Sequence, residues 1–217
     1  MLPGRVHYTR RRAIASVTTI SVTPRLPERR QSVAEPLDRE VIQGLARGET
    51  RAFDTVYAKL RAPLYAFLVR LSGRTELAED LLQETWLRLA RCAHQLPMET
   101  ELRPWLFTVA RNLYRSHRRW LLLDTDRLKR LGWLPQDSLP SPFEALAASA
   151  TERRLEGALL GLSVDHREVL LLCSVSGFEP VEAADILGIS AVSARQRLAR
   201  ARAKLRQVLE PCEKARP

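Results

Sequence analysis

The chain has 217 residues, with 35 Lys and Arg against 25 Asp and Glu, a net charge of +10 and 45% apolar residues, enough to bury a core as one domain or two small ones. Its three cysteines, Cys92, Cys173 and Cys212, lie far apart in no Cys-x-x-Cys spacing, which excludes a disulfide framework and a four-ligand zinc site and suits a reducing cytoplasm. No apolar stretch approaches the roughly 20 residues that cross a bilayer, so membrane insertion is not expected.

Residues 1–37 carry seven cations and two anions. The segment "RRRAIASVTTISV" has the layout of a signal peptide, but Ser16, Thr18, Thr19 and Ser21 make its middle too polar. Residues 1–37 therefore read as a basic arm without fixed structure, or as translated sequence ahead of a start at Val33 or Val41. From 38 to 120 the apolar residues recur at helical spacing, which predicts helices over about 38–47, 50–72, 75–91 and 103–120. Pro63 is expected to kink or divide the second of these. Over 121–150, Gly132, Pro135, Pro140 and Pro142 fall among Asp and Ser, the composition of a flexible linker. A second helical domain is predicted over 151–210, with helices at about 151–161, 164–175, 180–187 and 191–209 and a short tail at 211–217. The expected fold class is all-α: two small helical domains joined by a flexible connection.

Charge is placed as unevenly as structure. No carboxylate lies between Glu101 and Asp124, nor between Asp185 and Glu210. Arg-rich runs of this kind suit a polyanion such as nucleic acid. The second run lies in "PVEAADILGISAVSARQRLARARAKLRQ", which has the anatomy of a helix-turn-helix. Pro180 suits a first helical turn, Gly188 a left-handed helix end, and Ser190 an N-cap. Ala194, Leu198, Ala201 and Leu205 form the inward stripe of the second helix. Ser193, Gln196, Arg197, Arg200 and Lys204 then face outward, with Arg195 and Arg202 at the flanks. Ser190 and the polar and cationic side chains near this helix start can reach base edges, while the later cations are placed for phosphates.

Upstream, "AEDLLQETWLRLAR" and "RPWLFTVARNLYRSHRRW" are more specific. Together with the helix-turn-helix they resemble, in order, regions 2 and 4 of bacterial RNA polymerase sigma factors of the extracytoplasmic-function (ECF) group, of the sigma-70 family. The resemblance covers about 38–120 and 152–209 and implies an alternative sigma factor, not an enzyme, that works in the cytoplasm. It implies two partners: core RNA polymerase, through the β′ clamp and β flap, and promoter DNA. An anti-sigma factor is left open, and no cofactor or metal is implied. Asp80, Gln83, Glu84 and Trp86 match the positions that bind the polymerase clamp. Glu76, Asp80 and Glu84 fall at i, i+4 and i+8, so their carboxylates repel one another until a cation arrives. On the fourth helix, Thr108, Arg111, Asn112, Arg115, Ser116, Arg118 and Arg119 surround the non-core side. The resemblance assigns them, with the loop Cys92–Glu101, to binding and opening the −10 element. It assigns the last helix to the −35 element. Where that family usually has Gly-Thr-Val this chain has Val192, Ser193 and Ala194, a departure that bears on promoter preference. An ordinary helix-turn-helix regulator that does not bind core polymerase would explain the C-terminal half alone. His94, His117 and His166 lie in unrelated contexts with no nucleophile or metal set around them.

Overall fold

The computed structural model describes residues 36–130 and 150–209. Eight helices follow in order: α1 (Pro36–Ala46), α2 (Thr50–Ser72), α3 (Thr75–Cys92), α4 (Leu102–Arg130), α5 (Ala150–Leu160), α6 (Val164–Ser174), α7 (Pro180–Leu187) and α8 (Ala191–Leu209). A 3-10 turn at Ala93–Gln95 precedes α4. No strand occurs among the described residues, and no described helix is long and apolar enough to cross a membrane. The arm up to residue 35, the middle of the expected linker and the tail lie outside the described residues.

In the first block α2 packs against α1, α3 and α4. Leu64, Phe67, Leu68 and Leu71 of α2 recur at three- and four-residue spacing and are fully buried, with Leu89 of α3 and Leu106 and Phe107 of α4. Of the two outcomes expected at Pro63, division does not occur: α2 runs through it as one helix. The ring removes the hydrogen bond to the carbonyl of Lys59, an exposed residue, so water can take the place of the missing donor. The fourth helix also outlasts its expected end at Trp120 and continues to Arg130. Residues 121–130 are Leu, Asp, Thr, Arg and Lys with no breaker before Gly132, so nothing local stops the helix.

The second block is built around α6, which contacts α7, α8 and α2. Arg167, Glu168, Val169, Leu170, Leu171 and Leu172 are consecutive and all buried. A helix covered on every side cannot belong to an isolated two-layer module. The two blocks accordingly share one continuous core instead of standing apart.

Several contacts join them. Phe178, from the turn after α6, meets Phe107 of α4 edge-on with centroids 4.9 Å apart, and Phe107 in turn meets Phe67 at 5.3 Å. Arg103 of α4 lies over the Phe178 ring, 4.1 Å from its centroid, and donates to the Ser176 carbonyl. Gly73 caps α2 at φ 70°, and a Cβ there would come within 2.6 Å of Leu160 in α5. Both the backbone conformation and the close approach therefore require glycine. Finally Arg167 donates to the carbonyls of Leu159 (2.9 Å), Leu160 and Leu162 (3.0 Å) around the end of α5, and to Leu71 (2.8 Å) at the end of α2. Its burial lowers the guanidinium pKa from the ordinary value, but the carbonyl ends of two helices supply the partial negative charge that keeps it charged.

Candidate nucleic-acid interface

The helix-turn-helix is built from short-range rules. Pro180 opens α7 behind a reciprocal capping box, in which the Glu179 N–H donates to Glu182 at 2.7 Å. Gly188 ends it at φ 66°. The Ser190 hydroxyl then accepts from the Ser193 N–H at 3.2 Å and donates to the Ser193 hydroxyl at 2.8 Å, fixing the start of α8. Ala194, Leu198 and Ala201 are buried, so the rotation of α8 is set. Arg195, Gln196 and Arg200 are exposed, as are Arg202 and Lys204. Arg197 is half-buried, with a guanidinium nitrogen 4.0 Å from Asp165. Val192 stands 59% exposed at the helix start, so its added bulk points to solvent and not into the turn.

The other cationic helix is arranged differently. Of the seven candidate residues on α4, Arg118 and Arg119 are exposed. The Thr108 hydroxyl donates back to the Pro104 carbonyl at 2.9 Å, and Asn112 accepts from Arg111 at 3.3 Å. Ser116 is half-buried. Arg111 is 9% exposed, and its Nε donates to Glu168 of α6 at 3.1 Å. Arg115 forms a two-pronged contact with the same carboxylate, Nε to one oxygen and Nη2 to the other, both at 2.8 Å, and also pairs with Asp165. A purely local reading of α4 expects both arginines to face solvent; instead Arg111 is buried, and Arg115, with 39% of its side chain exposed, is engaged by two carboxylates of α6. Burial pulls the Arg111 pKa down against the pull of Glu168, while hydrogen bonding to Glu168 raises that of Arg115. Both stay cationic.

On α3, Asp80 and Gln83 are exposed. Glu84 is mostly covered and pairs with Arg88 at 3.4 Å and Arg91 at 3.7 Å, and Arg74 lies 3.9 Å from Glu76. The expected repulsion along the ridge is therefore relieved at both ends. Trp86 is a correction: it is 6% exposed, packed against Tyr57 and Phe53 with centroids 5.0 and 5.9 Å away. Its large apolar surface belongs to the core of the first block, so in this structure it supports the ridge from beneath.

Asp165, Glu168 and Phe178 are the residues that a helix-by-helix reading misses. One signal was available: "VLLLC" in α6 is five apolar residues in a row, more than a full helical turn, the pattern of a helix end with neighbours on every side.

Comparison with known proteins bears on the whole arrangement. The family model Sigma-70 region 2 matches residues 56–120, and Sigma-70, region 4 matches 152–205. The chain is 37% identical over 151 residues to the ECF RNA polymerase sigma factor EcfG of Rhodopseudomonas palustris, covering 67% of this chain and 78% of that one. It is 34% identical over 172 residues to the RNA polymerase sigma factor CarQ of Myxococcus xanthus, covering 76% and 94%. A co-crystal structure of the sigma factor RpoE with the anti-sigma factor NepR from Bartonella quintana superposes on 74% of this chain and 98% of RpoE, with a TM-score of 0.61 at 28% identity.

Proposed function

The chain belongs to the ECF RNA polymerase sigma factors, and from that premise we propose how its two cationic helices and its acidic ridge divide the work of an alternative sigma factor. Such a protein binds core polymerase and directs it to a set of promoters. It contributes no active site of its own, and it works beside the polymerase in the cytoplasm.

The recognition helix α8 reads the −35 element. Arg195, Gln196 and Arg200 reach base edges and phosphates, Arg197 joins them once it leaves Asp165, and Ser190 and Ser193 fix the helix start against the backbone. The exposed Val192 methyl groups are suited to a thymine methyl in the major groove. Arg118 and Arg119, with Thr108, Arg111, Asn112, Arg115 and Ser116, serve the −10 element. Their cations hold phosphates while bases leave the stack, and the binding of those bases offsets an unstacking cost of a few kcal/mol. Asp80 and Gln83, with Glu84 in support, dock the polymerase clamp. The RpoE relative is held by an anti-sigma factor in its crystal, and a comparable partner for this chain follows as an expectation.

The observation that carries this reading is the in-order match of both sigma regions onto two helices whose runs lack carboxylates. Run-off transcription with purified core polymerase and a promoter library tests it. Promoter-dependent transcripts and co-elution with core are expected; no co-elution rejects the division of labour.

A further inference from the structure

The site just assigned to the −10 element is half occupied, and the occupant is part of the chain. Glu168 has 0% exposure and takes three N–H bonds, one from Arg111 and two from Arg115. The parallel fork that Arg115 makes on it is the one guanidinium groups make on phosphate. Asp165, one helical turn earlier, lies between Arg115 of α4 and Arg197 of α8, so one carboxylate touches both candidate DNA faces. We propose that Asp165 and Glu168 are a built-in phosphate mimic that masks the −10-side arginines of the free protein, and that polymerase and promoter act on a form in which α6 has left α4. This rests on the sigma-factor reading of α4.

Three physical considerations support it. A buried ion pair contributes little net stability, because desolvation of the charges offsets most of their attraction. The two blocks are held instead by Phe178 on Phe107 and by Arg167 on Leu71, so these carboxylates are not needed as glue. What they do determine is where Arg111 and Arg115 point. Second, Glu168 and Asp165 come from the other block, so separation of the blocks removes both at once and returns the arginines to solvent. Third, competition is between like chemistries: a DNA strand offers the same guanidinium groups a row of oxyanions, and counterion release favours the longer anion.

The test uses the full chain and a single-stranded dT20 oligonucleotide as probe, with affinity measured across salt concentrations and the radius of gyration measured by X-ray scattering. The isosteric double variant Asp165→Asn, Glu168→Gln weakens the mask without changing shape. Release of two arginines adds two phosphate contacts, so the slope of log K against log salt steepens by about 1.4, at about 0.7 per phosphate on a single strand. Although the intact pair adds little, its loss leaves the Arg111 cation buried without a partner, so the blocks part and the radius of gyration increases in parallel. Neutralising two exposed carboxylates elsewhere, Asp54→Asn with Glu79→Gln, changes net charge equally and leaves the slope alone. Phe178→Ala, which alters no charge but weakens the same contact, reproduces the steeper slope and keeps the test alive if the first variant folds poorly. Slopes and radii equal to wild type in both interface variants overturn the mask. Run-off transcription by the wild type is scored separately: its absence rejects the sigma reading, whereas its presence beside unchanged slopes rejects only the mask.

Discussion

Helices α4 and α8 start from the same material and end in different states. Each carries Arg-rich turns inside a stretch without carboxylates, and each buries an apolar stripe. On α8 the cations remain at the surface, with one loose contact to Asp165 at 4.0 Å. On α4 two of them are taken up by carboxylates more than fifty positions away in sequence. Composition sets the capacity to bind a polyanion; tertiary packing decides when that capacity is available. A sigma factor free in the cell gains from the difference, since an open basic face binds DNA without regard to sequence.

The largest way to break the comparison is on the exposed helix. Replacing Arg195 and Arg200 with Ala removes two candidate base contacts of about 1–3 kcal/mol each, so promoter-specific run-off transcription falls by about two orders of magnitude. Core-polymerase affinity, measured by co-elution, stays put; equal loss of both would remove α8 from its role. Next is a contact that joins the two blocks. Gly73→Ala puts a side chain into a left-handed conformation and against Leu160, for a loss of about 2 kcal/mol. A lower urea midpoint with unchanged m-value checks it.

A smaller effect sharpens the role of the acidic ridge. Asp80→Lys is expected to weaken core binding about tenfold, the effect of roughly 1.4 kcal/mol. Glu84→Lys does less to the docking charge itself, because Arg88 and Arg91 already partner Glu84. Titration of polymerase by fluorescence anisotropy distinguishes the two. The smallest effect is a pH slope. His166, beside the mask, has its pKa lowered from 6.5 by burial and by Lys204, Arg200 and Arg197, against the opposing pull of Asp165. The unfolded chain then binds the proton more readily, so this contribution is intact above pH 6.5 and is lost as pH falls through the lowered value. His166→Gln flattens the slope of urea stability over that window.

Much of this was legible in the residues. Helical periodicity with Gly73, Pro180, Gly188 and Ser190 placed the helices to within a residue or two, apart from the end of α4, because each boundary is a local steric or capping event. The helix-turn-helix and the face it exposes followed for the same reason. The state of Arg111 and Arg115 did not follow. Their i, i+4 spacing without a carboxylate on α4 looked like a solvent face, since local rules see only partners within a turn. The partner lay on α6, and the sequence carried it only as a helix whose second half, Val169–Cys173, is too apolar all round to face water. Trp86 was ambiguous for a related reason: an indole at the edge of an acidic face serves a core or an interface equally well until the positions of Phe53 and Tyr57 are known.

The most direct measurement is a distance between the blocks. Spin labels at Arg119→Cys on α4 and Arg202→Cys on α8, in a chain freed of its native cysteines, report it by pulsed electron resonance. One short, narrow distribution is expected for the free protein, shifting to longer distances when core polymerase and promoter are added. An unchanged short distance in a complex that still transcribes would contradict the opening of α4.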